Sequence, residues 1–520
     1  MKKLAFIALA LAVSCNSTQK TTGEKKVDKA EAVNPETYGN TITEAELKTH
    51  LYTYASDEFE GRETGKPGQK KAIAYIKKEY IDLGIKPAKA DGNYFQDVPL
   101  EISKLPTGTL SINGTTYTLG EDYVATTAST GDYTSVIYAG FGIEEGDYSD
   151  YSGLDVKGKI VVAKTGEPKN ADGTFKLSGS SEKSSWSNPS EALAKRVELA
   201  TKKGAAGIVF YDETNYPRYQ QYFAQMQKSG RERISPKPAS PNEFATILVN
   251  AKLANAFVKD ISKDDTPKTV STDLKLDLKS GNTDVMSENV VAYIKGSEKP
   301  DEYLVISSHL DHIGISADGQ INNGADDDGS GTVALLEIAE AFRKAQLDGN
   351  GPKRSVVFLH VTGEEKGLLG SQHYTDVDPI FPLAQTVANL NIDMVGRIDP
   401  KREGDRNYIY LIGSDKLSTE LHNLSEEVNK KYANVVLDYT YNDENDPNRF
   451  YYRSDHYNFA KNNIPIIFYF NGTHDDYHQP SDTPDKINYD LLENRTRLVF
   501  YTAWEIANRA NRLIVDKPTE

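Results

Sequence analysis

The sequence predicts an α/β protein, with a mixed, mostly parallel sheet flanked by helices and a β-rich insert interrupting it. Three observations carry this. From residue 285 onward, buried strand patterns alternate with loops and helical patterns, the order that builds a largely parallel sheet. Between about 106 and 284 the texture changes to short alternating strands separated by Gly, Asp and Asn turns. That middle block holds none of the nine histidines. The 520 residues amount to about three domains' worth of chain, enough to bury a large core.

Taken in order, residues 1–14 read as a signal peptide. Lys2 and Lys3 precede an apolar run from Leu4 to Val13, too short for a bilayer, which needs about 20 apolar residues. Cys15 follows and is the one cysteine in the chain. The pattern resembles a bacterial lipoprotein signal, whose cysteine is lipidated and becomes the new N-terminus; an ordinary secretory signal is the alternative. Either reading expects an exported protein, and the first a membrane-anchored lipoprotein on the periplasmic or cell-surface side. A single cysteine forms no internal disulfide, so stability must come from the core and from metal. Residues 15–40 are polar and read as a flexible tether. Thr43 with Glu46 makes a capping box that opens a first helix. Ala72, Ile73, Tyr75, Ile76, Tyr80 and Ile81 mark a second, ending at Gly84.

In the middle block, Thr109–Ile112 and Val136–Tyr138 read as strands and 165–190 as an exposed loop. Beyond it, Tyr303–Ser307, Ser355–His360, Leu390–Ile392, Tyr408–Ile412 and Ile464–Phe470 read as buried strands, and Gly331–Ala345 as a helix.

The net charge of −16, without a dense basic run, argues against nucleic acid as a partner. The chemistry-bearing residues fall just after the strand patterns, where sites form in open α/β sheets. They are His309-Leu310-Asp311-His312, then Gly324-Ala325-Asp326-Asp327-Asp328-Gly329 before a helix, Gly363-Glu364-Glu365, Asp393, and His474 to His478. Any one alone reads as a turn, a helix cap or a satisfied histidine. Together they bring more carboxylates to one crevice than can be buried without cations, which points to divalent metal. No histidine is followed by Glu, so HExxH is absent, and GxSxG is absent as well.

The segments SSHLDHIG, GADDDGSG, GEEKGLLGS, NIDMVG, RSDHYNF and YHQPSDT, in this order, resemble the M28 family of co-catalytic zinc peptidases. DEFEGRETGKPGQKKAIAYIKKEY resembles the family's leading helix. VIYAGFGI, DYSGLDVKGKIVVAKTGEP and ATKKGAAGIVFYDE resemble a protease-associated (PA) domain. The resemblance implies a zinc exopeptidase fold over 41–105 and 285–520, with a PA domain inserted at 106–284. It implies two Zn2+, one on His309 and Asp393, the other on Glu365 and His478, with Asp327 bridging and Asp326 as the alternative bridge. Glu364 would be the general base in the attack of a metal-bound hydroxide. Asp311 would bond His309, and Tyr477 would donate to the oxyanion. Ser454 would orient His478, and Arg453 would hold a substrate carboxylate or carbonyl.

The implied activity is an aminopeptidase acting on peptides, with a lipid anchor as its membrane contact. A carboxypeptidase or dipeptidase on the same metals is the alternative enzyme, and a non-catalytic binding protein the alternative of another class. Glutaminyl cyclases share the fold with a single zinc, against which the full ligand set argues. His50, His360, His373 and His422 read as packing or surface residues; His312, His456 and His474 lie in the motifs but are not assigned as ligands.

Overall fold

The computed structural model describes residues 33–229, 233–238 and 244–517. The signal segment and Cys15 lie outside them. The first long helix, α1 (Glu44–Tyr54), starts at its capping box: the Thr43 hydroxyl accepts from the Glu46 N–H at 3.2 Å and donates to its carboxylate at 2.7 Å. Next, α2 (Pro67–Asp82) opens on proline, whose missing N–H is unneeded there, and buries Ala72, Ile73, Ile76 and Tyr80. Order reaches further toward the N-terminus than the tether reading expected. Residues Glu36–Gly39 form a helical turn that buries Tyr38 on Trp504, ring centroids 5.7 Å apart. The local polarity concealed it because the covering surface comes from the far end of the chain.

The main sheet has ten strands. Its principal members are β1 (Phe95–Ser103), β2 (Thr283–Ile294), β3 (Lys299–His309), β4 (Arg354–Val361), β5 (Thr386–Ile392), β6 (Tyr408–Ile412) and β7 (Ile466–Phe470). In space they run β1-β2-β4-β3-β5-β7-β6. The centre, β4-β3-β5-β7, is parallel, while β1, β2 and β6 join antiparallel, so the sheet is mixed. The helices α3 (Gly331–Leu347) and α4 (Tyr489–Asn508), with α1, cover one face over Leu304, Ile306, Phe358 and Leu390. A second cluster that includes Val305, Val357, Leu359 and Phe459 covers the other. Burial on both faces is why β4 and β5 are buried at every position, with β4 carrying the apolar run Val356–Leu359, rather than alternating.

Within residues 107–279 eight strands build a second sheet that includes parallel Ile160–Lys164, Gly207–Tyr211 and Ala245–Val249, while Arg233–Pro236 returns to pair antiparallel with β1 in the main sheet. The second sheet has apolar clusters of its own. Within the segment expected as an exposed loop, Trp186 is buried and its carbonyl accepts from Arg196 at 3.0 Å. The two chain crossings into this unit are β1 and β2, paired antiparallel from Phe95 with Val290 to Ile102 with Thr283. Among the described residues no helix is long and apolar enough to cross a membrane.

Candidate metal centre

Because β3, β4, β5 and β7 are parallel, their carboxyl ends share one edge, and the segments leaving that edge carry the candidate residues. His309 ends β3. Glu364 and Glu365 follow β4, Asp393 follows β5, and the loop after β7 carries Tyr477 and His478. The Asp triplet occupies the entry to α3.

These residues converge. His309 Nε2 faces Asp327 Oδ1 at 3.2 Å and Asp393 Oδ1 at 3.6 Å. His478 Nε2 faces Asp327 Oδ2 at 3.0 Å and Glu365 Oε2 at 3.1 Å. Asp327 therefore presents one oxygen to each histidine. Its two neighbours are engaged elsewhere. Asp326 accepts from the Gly396 N–H at 2.7 Å and Asn471 Nδ2 at 3.0 Å, and pairs with His474 at 3.1 Å. Asp328 accepts three backbone N–H groups, of His309, Gly331 and Met394. It also lies within ligand reach of His309 and Asp393, but those three bonds commit both its oxygens to holding strand ends and helix start together.

The donor set fits divalent cations. Asp327 Oδ2, Glu365 Oε1, His478 Nε2 and both ring nitrogens of His312 are buried with no hydrogen-bond partner among the described residues. Donors about 2.0–2.1 Å from a shared tetrahedral ion lie roughly 3.4 Å apart, the spacing found here. Burial opposes charge in Asp327, Glu365 and His478. Even so, His312, His309 and His478 hold Asp327 well below the usual carboxylate range. Burial likewise depresses His478, but Asp327 and Glu365 outweigh it and carry its pKa to about 10. The cluster is thus built around positive charge. Glu364 stands apart: burial first, then Glu365 and Asp393, push its carboxyl well above the ordinary range.

Two predicted roles need correction. The Asp311 side chain does not bond His309. His309 Nδ1 meets the backbone carbonyl of Asp311 at 3.0 Å, while the carboxylate lies 4.0 Å away. With the proton on Nδ1, that carbonyl fixes the tautomer and leaves Nε2 free toward the cluster. The carboxylate accepts instead from the Glu364 N–H at 3.2 Å and the Thr64 hydroxyl at 2.7 Å. Ser454 does not orient His478 either: its hydroxyl donates to Asp393 Oδ2 at 2.6 Å and accepts from Asn391 Nδ2 at 2.9 Å. In both cases the residue is close to the site but a different atom, or a different ligand, is in reach.

Tyr477 stacks on the His478 ring at 3.9 Å, and burial raises its hydroxyl's pKa. With Arg453 it lines a pocket shared by Glu364, Asp393, Met394, Phe450, Phe468 and Phe470. The remaining histidines bond elsewhere: His360 to Tyr80 at 2.7 Å, His456 to the Tyr451 carbonyl at 2.8 Å, and His474 to Asp326. Sequence reasoning passed over two neighbours of the centre. Thr64 reaches Asp311 from the turn before α2; it lies in the segment DEFEGRETGKPG, to which no site role was given. His312 stands 2.8 Å from Glu365 Oε1, and its signal was the second histidine of HLDH.

A mixed α/β sheet thus gathers histidines and carboxylates at the carboxyl ends of its central strands. Residues 289–503 match the sequence pattern of peptidase family M28, and residues 125–257 that of the PA domain. Those two matches identify an M28 peptidase domain and a PA domain within the chain. It is 35% identical over 106 residues to a probable glutamate carboxypeptidase of Arabidopsis thaliana, covering 20% of this chain and 14% of that one. It is 38% identical over 120 residues to a probable zinc metalloprotease of Pyrenophora teres f. teres, covering 21% and 22%. It is 30% identical over 233 residues to a probable leucine aminopeptidase of Arthroderma benhamiae, covering 43% and 59%. The chain spans 14% to 59% of the length of such curated relatives.

Proposed function

We propose that the protein is a zinc-dependent exopeptidase, an aminopeptidase that removes N-terminal residues from peptides. The observation that supports it most is the convergence of His309, Asp327, Glu365, Asp393 and His478, with donor atoms left unpartnered, beside a pocket that holds Glu364. Two Zn2+, one on His309, Asp327 and Asp393 and one on Asp327, Glu365 and His478, would polarise the scissile carbonyl and acidify water. Glu364 takes the proton of the attacking water and passes it to the leaving amine; its raised affinity for a proton suits that role. The Asp311 carboxylate, holding the Glu364 N–H, sets where that base stands. Tyr477 donates to the carbonyl oxygen as it gains charge. Glu364 and Asp393 on the pocket wall favour a substrate ammonium, and Met394, Phe450, Phe468 and Phe470 favour an apolar first side chain. The signal-like N-terminus supports an exported protein anchored through lipid on Cys15.

One observation favours a second reading. Arg453 lines the same pocket and offers a partner for a substrate carboxylate, as a carboxypeptidase needs. A mixed peptide library with zinc-loaded protein, read by mass spectrometry against Glu364→Ala, separates the two. The expected result is stepwise loss from free N-termini, sparing N-blocked peptides and absent in the variant. Loss from C-termini alone moves the assignment to carboxypeptidase. No metal-dependent turnover overturns both.

A further inference from the structure

Glu365 has a second imidazole beside it that none of these roles uses. His312 is fully buried, and neither ring nitrogen has a hydrogen-bond partner among the described residues. A neutral imidazole ordinarily donates from one nitrogen and accepts at the other, and here neither need is met by a hydrogen bond. Its Nδ1 lies 2.8 Å from Glu365 Oε1 and 3.7 Å from Asp327 Oδ2. The shorter contact is not aligned as a hydrogen bond, since both of its atoms remain unpartnered. The two contacts lie on either side of the roughly 3.4 Å that separates neighbouring donors around one tetrahedral ion. His478 stands on the same two carboxylates, with its ring 5.7 Å from that of His312 and inclined 70° to it.

The ring's seat is built for it. The His312 N–H donates to the Arg62 carbonyl at 3.3 Å. Gly324 closes over the ring at φ +54°, where an added Cβ would lie 2.6 Å from the imidazole Cγ and Cδ2. Only glycine tolerates both that backbone and that approach.

We infer that His312 is a further protein ligand of the position formed by Asp327, Glu365 and His478, through Nδ1. This rests on the metallopeptidase reading and deepens it. One position then has four protein donors and the other, at His309, Asp327 and Asp393, has three. The four-donor position fills first and holds its ion more tightly; the three-donor position is the one emptied as zinc becomes scarce.

Competition dialysis of Zn2+ against a chelator, with the visible spectrum of the Co2+-loaded protein, tests this on the wild type, His312→Ala and His312→Asn. The asparagine keeps a polar amide in the ring's seat but replaces imidazole by a much poorer zinc ligand, and it carries the test if the alanine variant fails to fold, which melting of the metal-free proteins shows. The wild type is expected to hold two ions of unequal affinity. Both variants are expected to keep one at wild-type affinity and lose the other by more than about 100-fold, with one set of Co2+ bands altered. That exceeds the roughly 10–100-fold effect of losing a residue that merely orients a ligand. Two ions in wild type and variants, within about 100-fold in affinity and with one spectrum, overturns the inference and leaves the proposed function standing. A wild type that binds no ion overturns both.

Discussion

Asp311 acts through two different groups, and the division yields a sharp prediction. Its carbonyl holds His309, and its carboxylate holds Glu364 and Thr64. Asp311→Asn leaves the carbonyl in place but gives the side chain one accepting oxygen where two donors arrive. Metal affinity is therefore expected to stay within about threefold of wild type, while kcat/KM falls roughly 10–100-fold, the scale of 1–3 kcal/mol for one unmet buried donor. Metal loss of the same size in this variant would sink the division of roles. Ser454→Ala should do the opposite. It removes the donor to Asp393 and is expected to weaken the His309-side ion by roughly tenfold, the other ion unchanged, as chelator competition would show. The residue types of the centre were legible because His309, Glu364, Glu365 and Asp393 each directly follow a strand pattern. The atoms they use were not, since Asp311 and Ser454 are assigned by distances of about an ångström that sequence spacing does not encode.

On helix α3 a buried acid makes stability pH-dependent. Glu337 is 1% exposed, with Oε1 lacking a hydrogen bond and lying 3.5 Å from His50 Nε2. His50 in turn meets the Tyr75 hydroxyl at 2.5 Å. Burial, then Glu46 and Glu340, carry the Glu337 pKa from 4.5 to about 9. Between those values the unfolded chain has released a proton that the native state keeps, so stability falls as pH rises through the window. Glu337→Gln removes the titration. It is expected to raise Tm little near pH 4.5 and progressively more toward pH 9, a gain on the order of 1–3 kcal/mol at the upper end. A difference between variant and wild type that is constant with pH would refute the assignment. The helices themselves were readable from caps and 3.6-residue periodicity, as at Thr43 and Ala72–Tyr80. The partners of His50 were not, because they come from α2 and α3, far apart in the chain.

For the molecule as a whole, the centre ties together β3, β4, β5, the α3 entry and the loop after β7, so ions held there brace the fold. Chelation is expected to lower Tm and Zn2+ to restore it, each site contributing about 2.7 kcal/mol of stability at 100-fold excess over Kd. Calorimetry with and without chelator checks this; an unchanged Tm would mean that no ion is held. The insert, joined through the paired stem of β1 and β2, has apolar clusters of its own and should show little of this dependence.

The sequence by itself determined the class of fold, the insert, the capped start of α1 and the residue types of the centre. Local rules govern each of these: hydrophobic period, capping chemistry and the placement of polar residues after strands. Only the tertiary structure decided that Asp327 faces both histidines while Asp326 and Asp328 bind backbone and neighbours, that Asp311 acts through its carbonyl, and that His312 joins Glu365. It also decided that β2 and β6 run against the central strands and that Tyr38 packs on Trp504. Each of those outcomes depends on groups distant in the chain arriving within a few ångströms, and the free energy that selects them belongs to the assembled core rather than to any segment.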